Sequence, residues 1–243
     1  MTLDGCWFSF SDRSSPIAFR YLLSDTDICY LILILTLISV IGLVLATLND
    51  STPLSEAHLA RTPKISPALK KRAAQIKVLL MDVDGTMTDG GVTLLSQPDG
   101  SALEIKTFDA HDGQGLMLAY TAGIRTGCIT GRESPALLRR AKEVSMEFIY
   151  MKQPAKIPAY EEILHKAGVP DSAVAYVGDD LPDIPILRRV GLAIAVANAV
   201  PEVKNVAHFT TSRTAGHGAI RDAVELILKS KSIWEEMIDK ARA

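Results

Sequence analysis

Two aspartates two positions apart, Asp82 and Asp84, follow directly on the apolar run Ile76–Met81 and lead into Gly85, Thr86, Met87 and Thr88. A short apolar run, β-branched at its start, predicts a buried strand, and in an α/β sheet ligands gather beyond the carboxyl ends of the strands. Residues two apart in an extended chain share a face, so the two carboxylates converge on one ligand, and Gly85 lets the backbone turn sharply after them. Three later segments sit where the same kind of edge is expected. Thr130-Gly131-Arg132 offers a hydroxyl, backbone amides and a guanidinium; Lys156 opens a helical pattern; Gly178-Asp179-Asp180-Leu181-Pro182-Asp183 is a second acidic cluster.

Together these groups meet the needs of phosphate-ester hydrolysis, which requires a nucleophile, a proton donor for the leaving alcohol and positive charge on the phosphoryl oxygens. Asp82 suits the nucleophile and would form an aspartyl phosphate. Asp84 suits the acid that protonates the leaving oxygen and the base that then activates water. Thr130 and Arg132 can contact phosphoryl oxygens, and Lys156 offsets charge on both the phosphoryl group and Asp82. A hard divalent cation, most simply Mg²⁺, is expected on Asp82, the backbone carbonyl of Asp84, and Asp179. Asp180 and Asp183 stand behind these ligands, with Asp183 placed to orient Lys156 or a metal-bound water.

The elements that must position these residues are legible as alternating short apolar runs and helical patterns from Ile76 onward, the pattern of a parallel sheet covered on both faces. Strands are predicted at Ile76–Met81, Arg125–Ile129, Glu147–Tyr150, Ala173–Val177 and Leu192–Ala195. Helices are predicted at Gly115–Ala122, Pro135–Val144, Ile157–Ala167, Asp183–Val190 and His217–Lys229. The expected fold is α/β, a three-layer Rossmann-like parallel sheet without a cap domain. One departure is a β-hairpin after the first strand, Val92–Ser96 and Ser101–Phe108 around a Pro-Asp-Gly turn. Its exposed edges predict pairing with other copies of the chain. The tail from Ser230 onward has a helical apolar spacing that suits either its own subunit's surface or a neighbour's.

The chain has 243 residues, 48% hydrophobic and 22% charged, with a net charge of −2. No basic run or aromatic-basic interleaving is present, which excludes nucleic-acid backbone recognition as the main task. Three cysteines without paired spacing or accompanying histidines support neither a disulfide framework nor a zinc site. Residues 1–72 form an amino-terminal extension. Within it, Ile28–Leu48 carries no charge and is long enough as a helix to cross a bilayer, and 49–66 has a linker composition. Basic residues beyond the span predict a catalytic part in the cytoplasm, either free or anchored at the inner membrane. The phosphatase domain is expected over 73–243.

The set Asp82-Val83-Asp84-Gly85-Thr86, then Thr130, Lys156 and Gly178-Asp179-Asp180-Leu181-Pro182-Asp183, resembles the haloacid-dehalogenase-like phosphatase superfamily. Over roughly Ile76 to Leu228 the chain is similar to the 3-deoxy-D-manno-octulosonate 8-phosphate phosphatase family. The likeness rests on DVDGTMTDGG, the hairpin, Asp112-Gly113, TGR with Arg140, GDDLPDIPIL, AVANAVPEVK and GHGAIRDAVELIL. It implies a Mg²⁺-dependent homotetramer, assembled through the hairpins, that releases phosphate from a sugar acid on the route to lipopolysaccharide. By position it implies substrate contacts at Asp84, Asp109, Ala110, His111, Asp112, Gly113, Arg132, Arg140 and Lys156. The chain departs from the family on the substrate side: His111 replaces an Arg, Met117 another basic residue, and Met151-Lys152 a Gln-Gly pair. Two other readings fit the same residues, a phosphatase of another small phosphorylated sugar or sugar acid, and a phospho-accepting receiver domain.

Overall fold

Eight strands are formed among the described residues, 65–242 of this computed structural model: β1 (Val78–Met81), β2 (Thr93–Ser96), β3 (Ala102–Ile105), β4 (Arg125–Ile129), β5 (Phe148–Tyr150), β6 (Val174–Gly178), β7 (Leu192–Ala195) and β8 (Phe209–Thr210). Six of them make one sheet in the order β5-β4-β1-β6-β7-β8, every pairing parallel. β1, β6 and β7 are buried along their whole length, as continuous apolar strands covered on both faces must be. β8 is too short to announce itself in the sequence, and β1 starts two residues later than its apolar run.

The helices are α1 (Pro67–Ala74), α2 (Ala110–Thr121), α3 (Pro135–Glu143), α4 (Lys156–Ala167), α5 (Ile184–Leu187), α6 (Pro201–Val206), α7 (Ala219–Ser230) and α8 (Trp234–Arg242). α1, α2 and α8 pack on α7, whereas α4 packs on α5 and α5 on α6, giving a helical layer on each face of the sheet. The two groups follow from right-handed crossovers that run outward from β1 first in one direction and then in the other. α1 lies within the compact unit that spans Ile65–Ala243. Ser66 and Ser134 cap α1 and α3 with Pro at the first helical position, and Gly168 ends α4 in the left-handed conformation.

This topology fixes the site. β1 lies between β4 and β6, with Met81 opposite Cys128 on one side and Val177 on the other. The order reverses there, and the residues just past the three strand ends are Asp82, Thr130 and Asp179, side by side at the crevice where such sheets bind ligands.

The hairpin β2–β3 is a separate antiparallel pair with Leu95 opposite Leu103 and Thr93 opposite Ile105. Its turn is closed by the Gln97 amide donating to the Ser101 carbonyl at 2.8 Å. Val92, Leu94, Leu95, Leu103 and Ile105 are each at least half exposed. The segment 28–48 lies outside the described residues; among the described residues no helix is long and apolar enough to cross a membrane.

Candidate active site

Asp82 is fixed by its backbone amide, which donates to the Val177 carbonyl at 3.0 Å, and its side chain is largely buried. Lys156, the first residue of α4, reaches back under it. Its Nζ lies 2.8 Å from Asp82 Oδ1 and 2.7 Å from Asp183 Oδ1. Tyr176, on the neighbouring strand β6, donates its hydroxyl to the same Asp183 oxygen at 2.8 Å. Asp183 Oδ2 accepts from the backbone amides of Asp179 and Asp180 at 3.0 and 3.4 Å. Asp180 itself caps the short turn Leu181–Asp183, its side chain accepting from the Leu181 amide at 2.7 Å.

The electrostatics of this cluster call for a cation. Burial pushes the Asp82 carboxyl up to about 6 against the pull of Lys156, with Asp183 adding to the rise. Burial likewise raises Asp179 to about 7, opposed by a hydrogen bond from Thr86 and assisted by Asp82. For Lys156 burial works toward neutrality, but attraction by Asp183 and Asp82 outweighs it and holds the ammonium charged. One oxygen each of Asp82, Asp179 and Asp183 lies within 4.8 Å of the others. Both Asp183 oxygens already accept protein hydrogen bonds, so Asp82 and Asp179 are the carboxylates left to ligate. An all-oxygen donor set of this kind fits a hard divalent ion. Thr86 Oγ1 donates to Asp179 Oδ1 at 2.7 Å and so fixes the direction of that carboxylate. Gly85 makes the approach feasible: its φ is +88°, and a Cβ there would lie 2.2 Å from Asp179 Oδ2.

Thr130 is buried at the end of β4, its amide donating to the Tyr150 carbonyl at 2.9 Å and its Oγ1 accepting from the Arg132 amide at 3.3 Å. Asp84 sits in an outer group. Its side chain is hydrogen-bonded by Lys106 and lies 3.9 Å from the Arg132 guanidinium, and Arg132 also bonds Glu104 at 2.9 Å. On the rim, Lys152 takes a left-handed φ of +58° and pairs with Glu133 at 2.5 Å.

The residues at the start of α2 are used differently from what their positions in the sequence imply. Asp109 caps α2, accepting from the Asp112 amide at 2.9 Å. Asp112 is buried and accepts from the Arg221 and Gly218 amides at 2.7 and 3.3 Å, so it caps α7 with both of its oxygens. Gly113 gives room to Arg140, whose Nη2 would lie 2.0 Å from a Cβ there. Arg140 uses that room to donate to the Asp109 carbonyl at 3.2 Å, holding the start of α2. Ala110 and His111 are exposed. Met117 faces α8 across a groove that it shares with Met237 and Lys240. Among the described residues no hydrogen bond or ion pair joins this group to Asp82 or Asp84. Lys106, Glu104 and Tyr176 lie outside the recognisable motifs of the sequence; only Lys106 carries a faint signal, as a lone cation in the returning strand of the hairpin.

Residues 135–222 match the family model described as haloacid dehalogenase-like hydrolase. The 3-deoxy-D-manno-octulosonate 8-phosphate phosphatase KdsC of Yersinia pestis is 39% identical over 165 residues, 68% of this chain and 86% of that protein. A probable yrbi family phosphatase from Pseudomonas syringae superposes with a TM-score of 0.68 at 39% identity, over 73% of this chain and 99% of its own. The phosphatase from Moraxella catarrhalis, solved with magnesium ion, phosphate ion and KDO, superposes with a TM-score of 0.66 at 36% identity, over 71% of this chain and 97% of its own. With the acidic pair, the buried lysine and the strand-end threonine in one crevice, and relatives covered over most of their length, the chain is a phosphatase that belongs to the 3-deoxy-D-manno-octulosonate 8-phosphate phosphatase family.

Proposed function

We propose that the protein hydrolyses 3-deoxy-D-manno-octulosonate 8-phosphate in a Mg²⁺-dependent reaction through an aspartyl phosphate on Asp82, and that it works as a homotetramer on the cytoplasmic side. The observation that carries this reading is the Asp82–Lys156–Asp183 chain: a nucleophilic carboxylate held by a buried cation that is itself fixed by a second carboxylate.

In the first step an Asp82 oxygen bonds to phosphorus while the bond from phosphorus to the sugar oxygen breaks, and Asp84 passes a proton to that oxygen. In the second, Asp84 takes a proton from water as the water oxygen bonds to phosphorus, releasing phosphate and restoring Asp82. Lys156 and Thr130 contact the phosphoryl oxygens, and Arg132 anchors the anion from the rim. Asp82, the Asp84 carbonyl and Asp179 would hold Mg²⁺, which when bound neutralises the charge gathered between carboxylates and phosphate.

The exposed apolar hairpin supports assembly through β2–β3, because one chain leaves these side chains uncovered. A second substrate reading, another phosphorylated sugar or sugar acid, is favoured by the replacement of expected cations with exposed His111 and with Met117, which is turned toward α8. Phosphate release from a panel of phosphorylated sugars, with and without Mg²⁺, tests both. Turnover of the octulosonate ester at least about tenfold above the other sugars supports the first reading; a rate no better than that of generic esters rejects it.

A further inference from the structure

The side chain of Asp84 is held by residues that the catalytic motifs do not contain. Lys106, the residue after β3, has only 3% of its side chain exposed and hydrogen-bonds Asp84 Oδ1. Its Nζ is also 3.4 Å from Glu104 Oε1, and Glu104 accepts from Arg132 Nη2 at 2.9 Å. Arg132 in turn faces Asp84 Oδ2 at 3.9 Å. The four side chains close a ring of alternating charge in which each cation touches both carboxylates. A lysine this buried must be paired, and the ring leaves the Asp84 carboxyl little freedom to rotate.

We infer that Lys106 is a positioning residue for the reaction: it fixes the direction in which Asp84 presents its carboxyl to the leaving oxygen, while Glu104 and Arg132 fix Lys106. The inference rests on the proposed role of Asp84. When Asp82 bonds to phosphorus and the ester bond breaks, the electron pair stays on the leaving oxygen, which takes its proton from Asp84. A sugar alkoxide leaves poorly without that proton, whereas a nitrophenolate leaves without help. Misdirecting Asp84 therefore penalises alkyl esters far more than aryl esters, a distinction that loss of a structural strut would not make.

The test compares kcat/KM, which covers the steps up to release of the alcohol, for the octulosonate ester and for p-nitrophenyl phosphate at saturating Mg²⁺. Lys106→Met is expected to lose about 100-fold on the sugar ester and under about fivefold on the aryl ester, with Lys106→Arg recovering most of the loss. Asp84→Asn should show the same selectivity for the leaving group. Equal losses on both esters, or no loss on either, overturn the proposal. If Lys106→Met fails to fold, Glu104→Gln loosens Lys106 without emptying its place and must show the same pattern at smaller size. Should the wild type prefer a different sugar phosphate, the substrate reading fails, and the same alkyl-to-aryl comparison still decides the role of Lys106.

Discussion

Lys156 and Asp82 meet at 2.8 Å, and the lysine meets Asp183 at 2.7 Å on its other side, so one buried ammonium is shared by two carboxylates. Lys156→Met keeps the volume but leaves Asp183, 1% exposed, without its cation. We expect a loss of about 3 kcal/mol in urea melts, as for other broken buried pairs, and of about 100-fold or more in kcat. Asp82→Asn should lose about four orders of magnitude in turnover. Phosphate-release assays on folded protein check both, and near-normal turnover of either variant would contradict the assignment.

With Mg²⁺ on the proposed ligands, protons compete with it for the same oxygens. Burial pushes the Asp82 and Asp179 carboxyls up to about 6 and about 7, above the ordinary aspartate range. A raised carboxyl pKa means that the folded chain binds these protons more tightly than the unfolded chain. The metal-free protein therefore loses stability as pH rises from about 4 through about 7. Mg²⁺ needs the ionised forms, so its affinity should fall as pH drops below about 7, by up to about tenfold per unit for each proton displaced. Thermal melts with and without Mg²⁺ should show a larger stabilisation at about pH 8 than at about pH 5.5; a constant increment would rule out Asp82 and Asp179 as the ligands.

Gly85 separates two demands, backbone turn and metal ligand. Gly85→Ala places a methyl group 2.2 Å from Asp179 Oδ2 at a φ of +88°. The backbone cost is about 1–2 kcal/mol, and displacement of Asp179 should weaken Mg²⁺ binding about 10-fold to 100-fold by calorimetry. Unchanged affinity would show that Asp179 is not a ligand.

Leu103 and Ile105 are half exposed in a single chain. Replacing both with lysine should leave the melting temperature of the isolated chain nearly unchanged while converting the assembly to smaller species in sedimentation velocity. A tetramer that survives both lysines would place the interface elsewhere.

The parallel sheet was legible because doubly covered strands read as unbroken apolar runs, and the inner cluster because Asp82, Thr130 and Asp179 follow those strands directly and Lys156 opens the next helix. The remainder depends on contacts between distant parts of the chain. Asp112 satisfies amides of Gly218 and Arg221, more than a hundred residues away, so no local pattern distinguishes it from a substrate contact. α2 begins at Ala110, ahead of its expected start at Gly115, because Asp109 caps it; the polar residues between gave no apolar period. Lys106 acquires its role only when the hairpin folds back over Asp84. The rim departures separate in the same way: Lys152 stands with Glu133 and Arg132, while Met117 lines the groove against α8.

The returning strand of the hairpin looks two ways. Leu103 and Ile105 face out, Glu104 and Lys106 face in, and only the pleat separates them. A slip of one residue would exchange the two sets, moving leucine and isoleucine against Asp84 and turning the charges outward. The turn between Gln97 and Ser101 thus acts as a gauge for the active site without approaching it. Under the proposed roles of the hairpin and Asp84, insertions or deletions there would alter assembly and chemistry in the same stroke, so neither can drift independently of the other.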